Sequence, residues 1–230
     1  MKKLLIANFK SNKSVLESKH WLDELKQAVD WKMLGNFEVA VAPSFIAIES
    51  FSQELSVTSI PVHLATQDLS SYPSGSYTGA VSTQNIADLN IRYAILGHSE
   101  RRRYFKETSE MVAQKVTQAL AVGITPLVCI DEEYLEEQIR LLDSSALQSC
   151  IFVYEPLSAI GTGNSVKVSQ VTEVFSEITK LCGAVPCLYG GSVTDQNVSE
   201  YLLVSQGVLV GSFSLKAQDF AQLVATATAV

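Results

Sequence analysis

Ala94-Ile95-Leu96-Gly97-His98-Ser99-Glu100-Arg101-Arg102 is the stretch on which the fold turns. A short apolar run stops at a glycine and a histidine follows at once. Ser99 and Glu100 then read as a helix start, the serine as cap and the glutamate in the first turn. A strand therefore runs directly into a helix, with an imidazole at the junction. The positive end of a helix dipole disfavours the imidazolium form. Two readings stay open for His98: a turn cap, or a neutral ring that donates a hydrogen bond to a substrate oxygen and shuttles its proton.

The same strand-to-helix pattern repeats on both sides of this stretch. Eight apolar or β-branched runs occur, over 4–9, 37–42, 62–66, 93–96, 125–130, 151–154, 186–189 and 207–210. They are apolar throughout rather than alternating, as strands buried on both faces are. Amphipathic stretches of helical period separate them. Trp21, Leu22, Leu25 and Val29 share one helical face, and so do Val112, Val116, Ala119 and Leu120. Eight strand–helix units with no linker predict an α/β fold in one domain, 1–230, closed as a (β/α)₈ TIM barrel. At 230 residues the chain is short for such a barrel, which normally takes ~250. About 20 residues from Asp131 to Cys150 must hold a loop, a helix and a return, so the fifth helical region is shortened, with a brief helix over 134–142. A doubly wound open sheet is the alternative, but no Gly-x-Gly-x-x-Gly follows the first strand.

Composition removes several function classes. Hydrophobic residues make up 47% and charged residues 18%, enough apolar matter for a sizeable core, and the net charge of −7 argues against a nucleic-acid surface. Arg101-Arg102-Arg103 reads as a solvated or salt-bridged helix face. No run approaches the ~20 apolar residues that span a bilayer. The opening Met1-Lys2-Lys3-Leu4-Leu5-Ile6-Ala7 is too short an apolar stretch for a signal peptide and is cut by Asn8 and Lys10. Cys129, Cys150, Cys182 and Cys187 form no CxxC pair and have no histidine close in sequence, so no metal site is expected; they read as small hydrophobes of a reduced, cytoplasmic chain. His20 and His63 read as structural.

In a barrel of this kind the polar residues that matter sit at the C-terminal strand ends. The first strand ends in Asn8-Phe9-Lys10, and residues two apart in extended chain share a face. Lys10 either points with Asn8 into the mouth or snorkels at the surface. Glu155 closes the sixth strand, as a base or as an ion-pair partner. Gly190-Gly191-Ser192 and Gly211-Ser212 follow the seventh and eighth strands, where small residues let backbone N–H groups approach an anion. The segment 156–163, Pro-Leu-Ser-Ala-Ile-Gly-Thr-Gly, is fixed by proline at one end, freed by glycine at the other and apolar between, which suits a lid.

Taken in order, Ala7-Asn8-Phe9-Lys10, Gly97-His98-Ser99-Glu100-Arg101-Arg102, Tyr154-Glu155-Pro156, Ala159-Ile160-Gly161-Thr162-Gly163, Tyr189-Gly190-Gly191-Ser192-Val193 and Leu209-Val210-Gly211 resemble the triosephosphate isomerase family over nearly the whole chain. The resemblance implies interconversion of dihydroxyacetone phosphate and D-glyceraldehyde 3-phosphate through an enediolate, as in glycolysis and gluconeogenesis, with no cofactor and no metal. It assigns the proton transfer to Glu155, the carbonyl to His98 and the enediolate to Lys10 and Asn8. It assigns the phosphate to backbone N–H groups of Gly161, Ser192, Gly211 and Ser212, and supporting positions to Glu100 and Ser99. It further implies a homodimer in which the loop 68–79 reaches the partner's site and Thr78 approaches the neighbouring Asn8 and Lys10; Tyr72, Pro73 and Tyr77 give that loop an apolar surface.

Several positions depart from the family pattern. Ser158 stands for a tryptophan at the lid hinge, Asp131 for a glycine before Glu132, Ser212 for a glycine, Gln67-Asp68 for Gln-Asn, Ala80 for a glutamate and Phe9 for a tryptophan. Two other functions remain open on sequence grounds: a phosphate-binding barrel whose activity these departures have eroded, and an aldolase that forms a Schiff base on Lys10.

Overall fold

A computed structural model of the chain describes residues 2–159 and 164–229. Eight parallel strands close in sequence order, β1 to β8, into one barrel. They are β1 (Lys3–Asn8), β2 (Phe37–Ala42), β3 (Val62–Thr66), β4 (Ile91–Leu96), β5 (Thr125–Ile130), β6 (Ile151–Tyr154), β7 (Cys187–Tyr189) and β8 (Gly207–Val210). The helices around it are α1 (Val15–Ala28), α2 (Phe45–Val57), α3 (Ser99–Phe105), α4 (Ser109–Leu120), α5 (Leu135–Arg140), α6 (Ser144–Ser149), α7 (Val168–Cys182), α8 (Val198–Leu202) and α9 (Ala217–Thr228). None of the described helices is long and apolar enough to cross a membrane.

Two apolar layers explain why the strands read as unbroken hydrophobic runs. Leu4, Ile6, Ile95, Leu127, Cys129, Ile151 and Val153 fill the barrel interior. Leu5, Ala7, Phe9, Leu96, Val128, Phe152 and Tyr154 face the helices. Because successive strand residues alternate, the inward series Leu4, Ile6 continues to Asn8, and Ile151, Val153 continues to Glu155. The alternation thus delivers a polar residue to the mouth at the end of each of these strands. Phe9, on the outer face, packs edge-on against Trp21, ring centroids 4.7 Å apart, which accounts for an aromatic there. The indole of Trp21 donates to the carbonyl of Ser214 at 2.9 Å and ties α1 to the short 3₁₀ turn Ser212–Leu215 beside the mouth.

Three expectations change on contact with the structure. The shortened fifth region holds two helices rather than one: α5 stops at Arg140, and Asp143 restarts the chain as α6 by accepting from the N–H of Ala146 at 2.8 Å. Ser99 is not the cap of α3. His98 is, its Nδ1 accepting from the N–H of Glu100 at 3.2 Å. Within the arginine run, Arg101 is salt-bridged and Arg103 exposed, as a solvated or salt-bridged face requires, but Arg102 is neither. Arg102 is buried and donates to the carbonyls of Gly97 at 2.9 Å and Cys129 at 3.3 Å and to Gln138 Oε1 at 2.8 Å.

The root of the loop 68–79 is held by four charges, Glu107 and Lys115 buried, Asp68 and Arg101 half-buried. Asp68 accepts from Lys115 Nζ at 2.5 Å and from Arg101 Nη2 at 2.8 Å, and Glu107 pairs with the same two cations. Two carboxylates and two cations neutralise one another here, as buried charges must. Burial pushes the Asp68 carboxyl above its ordinary range, and the Lys115 ammonium opposes that shift. An aspartate in place of the family's asparagine is therefore matched by cations on α3 and α4. Beyond that root, Tyr72 and Tyr77 stack at 4.5 Å and both remain exposed, as does Thr78.

Candidate active site

Gly97 makes the junction that delivers His98. Its φ of +73° turns the chain sharply after β4, and a Cβ there would stand 2.8 Å from Arg102 Nη2 and 3.0 Å from Val112 Cγ2. An L-residue is disfavoured both by the angle and by the space. The turn brings His98 Nε2 to 3.1 Å from Glu155 Oε1. The other carboxylate oxygen of Glu155 accepts from the backbone N–H of Ser99 at 2.9 Å. Since His98 Nδ1 accepts a hydrogen bond from Glu100 N–H, the ring carries its proton on Nε2, the nitrogen that faces the carboxylate. Both side chains are buried.

Lys10 has a left-handed backbone, φ 51°, and its N–H donates to Asn8 Oδ1 at 3.0 Å. That bond uses the amide oxygen of Asn8 and leaves the amide Nδ2 as its donor face. The ammonium of Lys10 pairs with Glu100 Oε1 at 2.8 Å. Of the two fates sequence allowed for Lys10, the structure has the one in which it joins the mouth.

Asn8, Lys10, His98 and Glu155 line one cavity of about 360 Å³ together with Ser192, Gly211 and Ser212. The cavity is therefore lined both by titratable and amide side chains and by small residues. Ser192 Oγ is already committed, donating to the carbonyl of Ala159 at 2.5 Å. Its N–H, not its hydroxyl, is the group left for an anion. Gly161, the remaining phosphate residue read from sequence, and the lid residues 160–163 lie outside the described residues. Thr78 does not line this cavity. Thr194, Phe213 and Asp219 do line it and carry no sequence motif that would have singled them out.

Two further groups shape the site from below. Cys129 lies inside the barrel under Glu155, and burial, then the Glu155 carboxylate, push its thiol well above the ordinary range, so it stays protonated. Gly190 passes so close that a Cβ would meet Val153 Cγ1 at 2.9 Å and Glu155 Cγ at 3.0 Å. We expect Gly190→Ala to displace the Glu155 side chain by a few tenths of an ångström and lower kcat about 10-fold. Steady-state kinetics beside thermal unfolding check this; an unchanged kcat in a folded variant would show that Glu155 has room to spare.

A carboxylate touching a neutral imidazole, with an ammonium and an amide across a small cavity, is equipment for moving a proton next to a carbonyl group. Fold and site together define a (β/α)₈-barrel isomerase class. The family model described as "Triosephosphate isomerase" matches residues 3–227. The chain is 38% identical to the triosephosphate isomerase of Endomicrobium trichonymphae, over 97% of this chain and 98% of that one. It is 37% identical to that of Mesomycoplasma hyorhinis over 96% and 97%, and 35% identical to that of Thermodesulfovibrio yellowstonii over 97% and 98%. The chain belongs to the triosephosphate isomerase family, and it is an isomerase.

Proposed function

We propose that this cavity interconverts dihydroxyacetone phosphate and D-glyceraldehyde 3-phosphate, with residues 1–230 acting as one domain. The contact between His98 Nε2 and Glu155 Oε1 at 3.1 Å is the observation that carries the reading. A three-carbon substrate bound in the cavity replaces that contact, giving its carbonyl oxygen to the Nε2–H and its adjacent C–H to the carboxylate. Glu155 removes that proton. The charge that develops on the former carbonyl oxygen is met by the Lys10 ammonium and the Asn8 amide, which are oriented beforehand by Glu100 and by the Lys10 backbone. His98 gives a proton to one oxygen and takes one from the other. Glu155, now protonated, returns its proton to the neighbouring carbon. Burial strengthens every one of these interactions by excluding water.

The phosphate belongs on the N–H groups of Ser192, Gly211 and Ser212, with Gly161 as the family's remaining contact. Small residues after β7 and β8 and the short helical turn Ser212–Leu215 after β8 support that placement, where such barrels often bind phosphate. The Lys10–Glu100 ion pair supports charge stabilisation over a Schiff base, which needs a free amine. The stacked, exposed Tyr72 and Tyr77 on a loop with a charged root support a homodimer through 68–79. Four cysteines without disulfides support a reducing, cytoplasmic setting.

A coupled assay with purified protein, following each triose phosphate in turn, tests the reaction, and light scattering on the same sample tests the dimer. Turnover in both directions at twice the protomer mass is expected. A folded protein that converts neither substrate, or a monomer with full activity, overturns the respective half.

A further inference from the structure

Directly behind the proposed base, three side chains from three separate elements close a triangle. The hydroxyl of Tyr154, the last residue of β6, donates to Glu132 Oε1. Gln170, in the first turn of α7, donates from Nε2 to the same Glu132 oxygen at 3.2 Å and to the Tyr154 hydroxyl at 3.1 Å. Glu132 follows β5, and its turn is held by the buried Asp131, whose Oδ1 accepts from the N–H groups of Glu133 and Tyr134, both at 3.0 Å. The chain from 154 to 170, which contains Glu155, thus begins and ends on one polar knot.

We infer that Gln170 is a positioning residue for the isomerisation, acting through Tyr154 on the aim of Glu155. Adjacent strand residues point to opposite faces, so a ring locked outside the barrel fixes the peptide that aims its neighbour inside. The backbone is pinned at the same place: Glu155 N–H donates to Ile130 O at 2.8 Å and Gly190 N–H to Tyr154 O at 2.8 Å. The ring of Tyr154 is fully buried, and its hydroxyl is the group that Glu132 and Gln170 hold. Glu132 is exposed, where water competes for its oxygens. Gln170 excludes that competition by donating to both members at once. Burial, then the Glu132 carboxylate, push the Tyr154 hydroxyl above its ordinary range, so it remains a donor.

The inference rests on the isomerase reading, and its test is a ratio that the active fraction of the enzyme does not alter. An enediolate phosphate has two exits. Protonation on carbon by Glu155 completes the isomerisation. Otherwise the enediolate electron pair expels phosphate: the carbon–oxygen bond of the phosphate ester breaks, its pair leaves on the phosphate oxygen, and the neutral enol left behind gains a proton on carbon and gives up its hydroxyl proton to water, becoming a 2-oxoaldehyde. A misaimed acid slows the first exit and leaves the second unchanged. Gln170→Ala is expected to raise inorganic phosphate released per isomerisation about 3- to 10-fold and to lower kcat by a similar factor, with KM within about twofold. Gln170→Lys, which keeps a donor of similar reach, is expected to return the ratio to within about twofold of the parent. An unchanged ratio in Gln170→Ala overturns the inference whatever happens to the total rate, as does a Gln170→Lys ratio equal to that of alanine. A parent protein with no turnover overturns the isomerase reading itself, a distinct result.

Discussion

Shortening Glu155 to aspartate is expected to lower kcat about 100-fold while leaving KM within about threefold. The removed methylene withdraws the carboxylate by roughly 1 Å, a misplacement of the size that costs two orders of magnitude in a positioned proton transfer. The backbone cannot follow to compensate, because Glu155 N–H is bonded to Ile130 O at 2.8 Å and Gly190 packs against the Glu155 side chain. The hydrogen bonds from Ser99 N–H at 2.9 Å and His98 Nε2 at 3.1 Å are set for the longer side chain. KM is expected to be spared because Ser192, Gly211 and Ser212, the residues proposed for the phosphate, follow other strands and line the cavity away from the substitution. Steady-state kinetics in both directions measure the split. Turnover within threefold of the parent would remove Glu155 from the role of base.

What could be read in the chain, and what could not, divides by the range of the interaction. The strand ends were readable because a buried run of apolar residues that stops at a polar one is a local pattern; Asn8, Lys10, His98 and Glu155 all announce themselves that way and line one cavity. Pairing partners are a different matter, since nothing in a residue's own neighbourhood names the element it will meet. Arg102 looks like one of three surface arginines, yet its guanidinium bridges the ends of β4 and β5 and Gln138 on α5. Ser99 has the composition of a cap and instead gives its backbone N–H to a carboxylate 56 residues away. Asp68 and Asp131 depart from the family pattern, and nothing beside them in sequence says what receives them. Lys115 and Arg101 answer the first, and the turn at Glu133 and Tyr134 uses the second. Nothing in the structure explains Ala80.

Replacing Lys10 with methionine should cost the enzyme about 10²- to 10³-fold in kcat/KM, the loss seen when a single donor to a developing oxyanion is removed. Methionine keeps the length and the apolar stem. The stem matters, because Lys10 Cε lies 3.2 Å from where a Cβ on Gly211 would stand, so a shorter residue would also empty that wall. The charge is the part removed. Its partner Glu100 does not become a buried orphan: 37% of its side-chain surface is exposed, and it sits in the first turn of α3, where the helix dipole favours a carboxylate. The fold should therefore survive, and the loss should appear in the chemistry. Unlike the Glu155 change, this one also weakens the grip on a negatively charged substrate, so KM is expected to rise as kcat falls. Binding of a phosphorylated carboxylate analogue of the enediolate, measured by calorimetry, separates the two parts. If the analogue binds Lys10→Met as tightly as the parent, Lys10 does not face the reacting oxygens, and the cationic wall of the cavity must be sought elsewhere.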